Sequence, residues 1–502
     1  MTLRWIIPAF LPLAAVAVAA QAAPQTADWP ALAAVLSHVA QSDASAPGFA
    51  HDSITALAGL FAMPAPGQPV MRPAAAATPP GGNVSVSSGD MQIALTQLSI
   101  AEGTNDLMRV RLAQGDRRDA LLLVSGSLTL QELAAQVAQA GLEGLWVENG
   151  VVHLSRPLVV WQGAGLAVQP GDDLQIEADS GAFVLSFGSL SFDGAAVHGS
   201  VAAGAGDAAF RPFILVSGAG TLRAERSVFT GLGMAGLGPF SGIVASSRGL
   251  FTSDQPVLVA QNRFADIGSL ALIGLQDAAV IDNVFADARG AALILRRVQS
   301  GVVAGNVVAR SLGGAGVKVT EASDTVQITG NLVTGGAANG LQIDGASRDI
   351  TVSGNAVFDN AGSGVAAKSV DCLTLAGNLI LRNGASGLRL TDTGASRITG
   401  NALVANGSSA VAVASQKPAS RLALEHNLLA LNRVGLTGLV VSDVSLNDND
   451  LTGQLPRIFD GGFARYQAAF LTARDQNGLN AFQIAGVAQT GPADFSTVCS
   501  VE

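Results

Sequence analysis

Asparagine recurs along the second half of the chain at Asn262, Asn283, Asn306, Asn331, Asn355, Asn378, Asn401, Asn427 and Asn449, at intervals of 21 to 26 residues. A period of that length marks a stacked repeat, in which one structural unit is copied and each copy contacts only its neighbours. Before each central Asn the residues alternate, as in Ile350-Thr351-Val352-Ser353-Gly354-Asn355 and Leu373-Thr374-Leu375-Ala376-Gly377-Asn378. A period of two turns one face of a strand inward. A second apolar run follows the Asn (Val357-Phe358, Leu379-Ile380), and nine residues after it a Gly opens a third: Gly340-Leu341-Gln342-Ile343, Gly364-Val365, Gly387-Leu388-Arg389-Leu390. Three short strands per turn describe an all-β parallel β-helix. Val326, Ile328, Ile350, Val352, Leu373, Leu375 and Ile398 are then predicted to point inward.

Such a turn cannot bury its apolar face alone, so the coils must stack. Asn tolerates left-handed backbone geometry, and its amide can bond the amide one coil away, roughly 4.8 Å distant. The Asn column is therefore expected to hold register and to do no chemistry. The repeat predicts a β-helix over residues 156–454, with about nine or ten coils between Arg156 and Leu451 and a length of roughly 45 Å. Both ends of a solenoid leave strand edges unpaired, so each needs a cap. A small α+β unit over residues 91–155 is expected at one end, with strands Met91 to Ile100, Leu107 to Leu112 and Leu121 to Val124. Its one helix, Leu130 to Ala140, opens with a Thr129/Glu132 capping box. The 455–502 segment is expected to cap the other end through an amphipathic helix from Phe463 to Arg474.

Ahead of these, Arg4 precedes an apolar stretch from Trp5 to Ala20 and the small residues Ala20-Gln21-Ala22, which reads as a secretory signal over residues 1–22. The stretch is shorter than the roughly 20 residues that span a bilayer, and Pro8 and Pro12 interrupt it. A periplasmic or secreted protein, with no membrane contact after cleavage, is the expectation. Residues 23–90 are expected to hold two short helices, Trp29 to Val39 and Ser53 to Phe61, and a Pro/Ala/Gly-rich linker from Pro64 to Gly82.

Lys and Arg total 28 against 38 Asp and Glu, a net charge of −10. That balance argues against nucleic acid as partner, because neutralising phosphates needs a basic surface. Five His, one Tyr and two Cys leave few groups for proton transfer and no zinc or iron–sulfur spacing, so no cofactor is expected. His38 and His51 fall in the N-terminal segment. His153, His198 and His426 read as turn or surface residues, and Tyr466 as part of the terminal cap. Cys372 takes a position that Thr325, Asp349 and Arg421 hold in other coils, outside the core. An oxidising compartment allows it to pair with Cys499, and the sequence leaves that pairing open.

If Gly316, Gly340, Gly364 and Gly387 open equivalent strands, the second and fourth positions after each point outward. These are Lys318 and Thr320, Gln342 and Asp344, Ala366 and Lys368, Arg389 and Thr391. A solvated face, a saccharide-binding stripe and a lysine base all fit that pattern. In the last of these, Lys368 and Arg389 would lower the pKa of Lys318, while Asp344 opposes the shift. Aromatic residues are only 5% of the chain, which disfavours a stacking platform for neutral sugars. If Lys318, Gln342, Lys368 and Arg389 form one column, cations spaced by about 4.8 Å would suit an anionic polymer lying along the rod.

Leu158-Val159-Val160-Trp161, Gly163-Ala164, Gly181-Ala182-Phe183 and above all Phe210-Arg211-Pro212-Phe213 resemble the periplasmic mannuronan (alginate) epimerases, over a stretch from about Leu158 to Ala414. The resemblance implies a right-handed, pectin-lyase-like parallel β-helix. It also implies an acidic polysaccharide as ligand, with other exopolysaccharide export proteins as possible partners. That family carries an Asp-Pro-His-Asp motif whose His removes the proton α to the uronate carboxylate. The matching positions here are Leu293, Ile294, Leu295 and Arg296. The reaction needs a base, a group that neutralises the carboxylate and an acid on the opposite ring face. Arg296 or Arg297 can neutralise; nothing in this coil transfers a proton. The expected function is binding or escort of an acidic polysaccharide, with Lys318, Gln342, Asp344, Lys368, Arg389 and Arg296 as contacts and no catalytic residue. An active epimerase or lyase with a non-standard base, and a structural or adhesive solenoid, are the alternatives.

Overall fold

The computed structural model describes residues 29–42, 46, 48–65, 81–103, 107–200, 210–234, 238–248, 255–416, 420–439, 443–477, 481–485 and 499. The alternating segments wind into three parallel sheets, A, B and C, in about twelve turns. One turn runs through Leu341–Ile343 in sheet A, Arg348–Ser353 in sheet B and Ala356–Phe358 in sheet C. The next repeats it as Val365–Lys368, Asp371–Ala376 and Leu379–Leu381. Register follows the apolar pattern: Ile343 lies beside Ala367, Val352 beside Leu375 and Val357 beside Ile380. All seven residues predicted to point inward are fully buried in one continuous core.

The Asn column stands at the corner between sheets B and C. Asn355 shows the pattern: its Nδ2 donates to Asn378 Oδ1 at 3.0 Å, Ile328 O at 2.8 Å and Ser353 O at 3.1 Å. Its Oδ1 accepts from Asn331 N at 2.8 Å and from Asn331 Nδ2 at 2.9 Å. A second ladder, Asn360, Asn383, Asn406, Asn432 and Gln454, runs along the corner that follows sheet C and bonds in the same way.

Six helices flank the rod among the described residues: α1 (Trp29–Gln41), α2 (Phe49–Leu60), α3 (Met91–Glu102), α4 (Met108–Gln114), α5 (Leu130–Gln139) and α6 (Gln467–Asn477). The segments Met91 to Ile100 and Leu107 to Leu112, expected as strands, are therefore helical. Met91, Ala94, Leu95 and Leu98 are buried together, which is helical spacing, and Asp90 caps α3 by accepting from Gln92 N at 2.8 Å. Their apolar face covers the outer surface of sheet A in the first coils, against Phe183, Leu215 and Phe213. There the Phe210–Phe213 segment has a packing role: Phe213 stacks on Phe183 at 4.7 Å, and Arg211 reaches Asp266 at 2.9 Å. Helices α1 and α2 cover the outer surface of sheet C, against Phe358 and Leu381.

The rod starts earlier than residue 156. Asp119–Thr129 turns a corner as one long strand and pairs with Leu158–Val160 in sheet A and Ala164–Val168 in sheet B. Helix α5 then closes the core end with Leu130, Leu133 and Val137, and its Thr129/Glu132 capping box is formed. At the other end the expected helix is a short 3-10 turn, Ala464–Tyr466, followed by α6, with Phe470 inside the core. Phe482–Ile484 adds an antiparallel strand to Asp443–Asn447 and seals that edge of sheet B. The expected signal segment and most of the expected linker lie outside the described residues.

Cys372 and Cys499 are bonded, with Cα atoms 5.3 Å apart and 127 residues between them in sequence. Closing so long a loop restricts the unfolded chain, an effect of about 2–4 kcal/mol. C499S is therefore expected to unfold at lower denaturant concentration than the wild type. Intact mass after alkylation should show no free thiol without reductant and two with it; two free thiols in the untreated protein would contradict the bond.

Candidate anion-binding face

Sheet A changes character along the rod. In the first coils its outer positions are apolar and roofed by α3 and α4; from Leu293–Arg296 onward they carry charge. The register resolves the predicted stripe into two columns. In the first, Ile294, Lys318, Gln342, Ala366 and Arg389 succeed one another. In the second, Arg296 lies beside Thr320, and two coils beyond Thr320, Lys368 lies beside Thr391. The single column of Lys318, Gln342, Lys368 and Arg389 does not form, because the second and fourth positions after Gly are two residues apart along the strand. Lys318 and Arg389 share a column but stand three coils apart, roughly 14 Å.

Asp344 organises the middle of this face. It accepts from Gln342 Nε2 at 2.7 Å and from Thr320 Oγ1, and Lys318 Nζ lies 3.9 Å from its Oδ2. Lys318 thus faces a carboxylate and has Ile294 and Gln342 as its neighbours in register. The arrangement needed for a lysine base, with Lys368 and Arg389 beside it, is not built. Lys368 and Arg389 are both exposed.

Next to these columns, where sheet A turns toward sheet B, charges gather that the sequence did not bring together. Arg296 pairs with Glu321 Oε1, and Arg297 Nη2 lies 3.1 Å from Glu321 Oε2. The Arg296 hydrogen bond holds the Glu321 carboxyl below the usual carboxylate range. Glu102, the last residue of α3, is buried with 1% of its side chain exposed. It accepts from Ser217 Oγ at 2.6 Å and Ser246 Oγ at 2.9 Å, and Arg248 Nη1 lies 3.9 Å from its Oε2. Burial, and next the positive charge of Arg297, lower the Arg248 guanidinium pKa. No spacing rule finds Glu102, since 144 residues separate it from Ser246.

Leu293, Ile294, Leu295 and Arg296 include no proton-transfer group. Leu293 and Leu295 are core residues at 0% exposure, and Ile294 is part-buried between Ala271 and Lys318. The histidines stand elsewhere. His153 pairs with Glu177 at 3.1 Å and stacks on Trp146, and His198 Nδ1 meets Thr230 Oγ1 at 2.7 Å, both on sheet C. His426 lies at a left-handed corner, and Tyr466 lies under the Arg465 guanidinium at 4.8 Å. Among the described residues no three His, Cys, Asp or Glu side chains gather where they could hold a metal ion.

The fold is a parallel β-helix like that of the alginate epimerases. Its coordinates are similar to the crystal structure of the periplasmic alginate epimerase AlgG, with a TM-score of 0.62 and 17% identity over 75% of this chain and 94% of that one. A double mutant of AlgG gives a TM-score of 0.64 and 18% identity over 79% and 96%. Residues 259–434, all within the coils, match the periplasmic copper-binding protein (NosD) family. No curated protein sequence matches the chain. Among the described residues no helix is long and apolar enough to cross a membrane.

Proposed function

We propose that this is an exported protein that binds or escorts an acidic exopolysaccharide along the outer face of sheet A, without the proton-transfer chemistry of the epimerases it resembles. The observation that carries the proposal is a substitution of roles on one face. The outward residues of the coil set against the family's motif, Ile294 and Arg296, include no proton-transfer group, while Lys368 and Arg389 stand exposed and Lys318 half-buried on coils beyond them. The periplasmic location of AlgG and of the NosD family supports a site in the cell envelope, where such polymers pass. The net charge of −10 is compatible with this, because contact is decided locally and the far field is screened beyond about 8 Å at physiological salt.

The test is binding of polymannuronate to the wild type and to the triple variant K318A/K368A/R389A. Each exposed contact is worth on the order of 1 kcal/mol or less, so the three together should weaken binding by about tenfold or more, and salt should weaken it further. Binding that is unchanged in the triple variant, or indifferent to salt, would show a merely solvated face. In the same samples, NMR in deuterated water is expected to show no exchange at the fifth carbon of the uronate above the protein-free control. Exchange above that control would establish an enzyme with a non-standard base.

A further inference from the structure

Glu321 sits in an arrangement that matches what an acidic sugar would bring. Its two carboxylate oxygens are taken by two different guanidinium groups, Oε1 by Arg296 and Oε2 by Arg297 at 3.1 Å. Planar guanidinium forks closing on both oxygens of one carboxylate are how proteins bind that group in ligands. The three side chains remain part-exposed, at 32%, 42% and 40%, so solvent and a ligand can reach them. Arg296 Nε is buried and meets no acceptor among the described residues. Arg248 stands behind it, held by the buried Glu102, and its charge is felt by both Arg297 and Glu321.

The clamp stands between two glycine corners. Arg297 and Glu321 occupy equivalent left-handed corners of consecutive coils, and the corners on either side are Gly274 and Gly345, at φ +64° and +69°. A Cβ at Gly345 would lie 2.5 Å from Glu321 N, and one at Gly274 2.5 Å from Ser247 O. Both glycines pack against the backbone of the preceding coil, so only a residue without Cβ fits at either corner.

We propose that Arg296 and Arg297 form a carboxylate-receiving subsite which Glu321 fills in the free protein, so that Glu321 is an internal competitor that a uronate carboxylate displaces. This rests on the polysaccharide-binding reading above and adds to it both the ligand group and a built-in limit on affinity. The limit serves an escort, which must release its polymer: an occupied clamp binds weakly enough to let successive uronates pass.

The experiment is calorimetric titration of the full chain with polymannuronate, and separately with dextran sulfate, for the wild type, E321Q and E321A. Removing an exposed competing charge should tighten polymannuronate binding about three- to tenfold in both variants. Adding R296A/R297A to E321Q should abolish the gain. E143Q, which removes one exposed negative charge beyond α5, should leave affinity unchanged and so separates the local effect from net charge. Melting curves establish that each variant is folded, and the two replacements at Glu321 guard against one of them failing. Unchanged or weaker polymannuronate binding in folded E321Q or E321A overturns the competitor, as does a gain seen with dextran sulfate alone. If K318A/K368A/R389A weakens binding while the Glu321 variants do not change it, the polysaccharide-binding reading stands and this inference falls. If no protein binds either polymer, both fall.

Discussion

V352D is expected to yield no folded rod. Val352 is fully buried in sheet B, between Ile328 on one coil and Leu375 on the next. A carboxylate there would have apolar neighbours above and below and nothing to pair with, a cost of at least several kcal/mol. In a solenoid the damage spreads, because each coil is stable only through its neighbours and a disrupted turn leaves two open ends within the stack. The control is one residue away. Thr351 points to the outer side of the same strand, and T351D should fold with nearly wild-type stability. Soluble yield and far-UV circular dichroism measure both; since a slip of one residue exchanges the two faces of a strand, the opposite ranking would overturn the register.

N355A should fold but lose about 3–5 kcal/mol of stability, estimated from the groups it strands. Truncation removes the acceptor for both Asn331 N and Asn331 Nδ2, and the donor to Ile328 O and Asn378 Oδ1, at a corner closed to water. Each buried polar group left unsatisfied costs about 1–3 kcal/mol, and backbone relaxation recovers part of it. N360A, in the second ladder, should behave similarly, because Asn360 Nδ2 donates to Asn383 Oδ1 and two backbone carbonyls and its Oδ1 accepts from Gly336 N. Urea unfolding followed by circular dichroism is the measurement. A midpoint unchanged in both variants would mean that the ladders ride on the coils without holding them.

The candidate site was legible in a different way from the core. Lys318, Gln342, Asp344, Lys368 and Arg389 lie on the outer face of sheet A, as the spacing from each Gly implies, and Arg296, named from the motif comparison, lies there too. Their division into two columns is also written in that spacing, since positions two and four after Gly differ by one full pleat. The Glu321 clamp could be half seen: Arg296 and Arg297 were evident as charges beside the motif position, but their shared partner is a corner residue of the following coil. The second ladder had a signal as well, since Asn360, Asn383, Asn406 and Asn432 each follow a residue of the first ladder by five.

The solenoid, its inward residues, its first Asn ladder and the aliphatic run Leu293-Ile294-Leu295 follow from the order of residues alone. In a stacked coil, neighbours in space sit at a nearly constant separation along the chain, so periodicity alone reveals the contacts. Tertiary structure decided what periodicity does not carry. Met91–Glu102 has an apolar pattern that suits either a strand or a helix, and it is a helix because its buried stripe meets the apolar outer face of sheet A. The same docking buries Glu102 beside Ser217, Ser246 and Arg248, and the tail bond joins Cys499 to Cys372. These contacts join segments more than 100 residues apart that do not repeat, so only the folded chain brings them together.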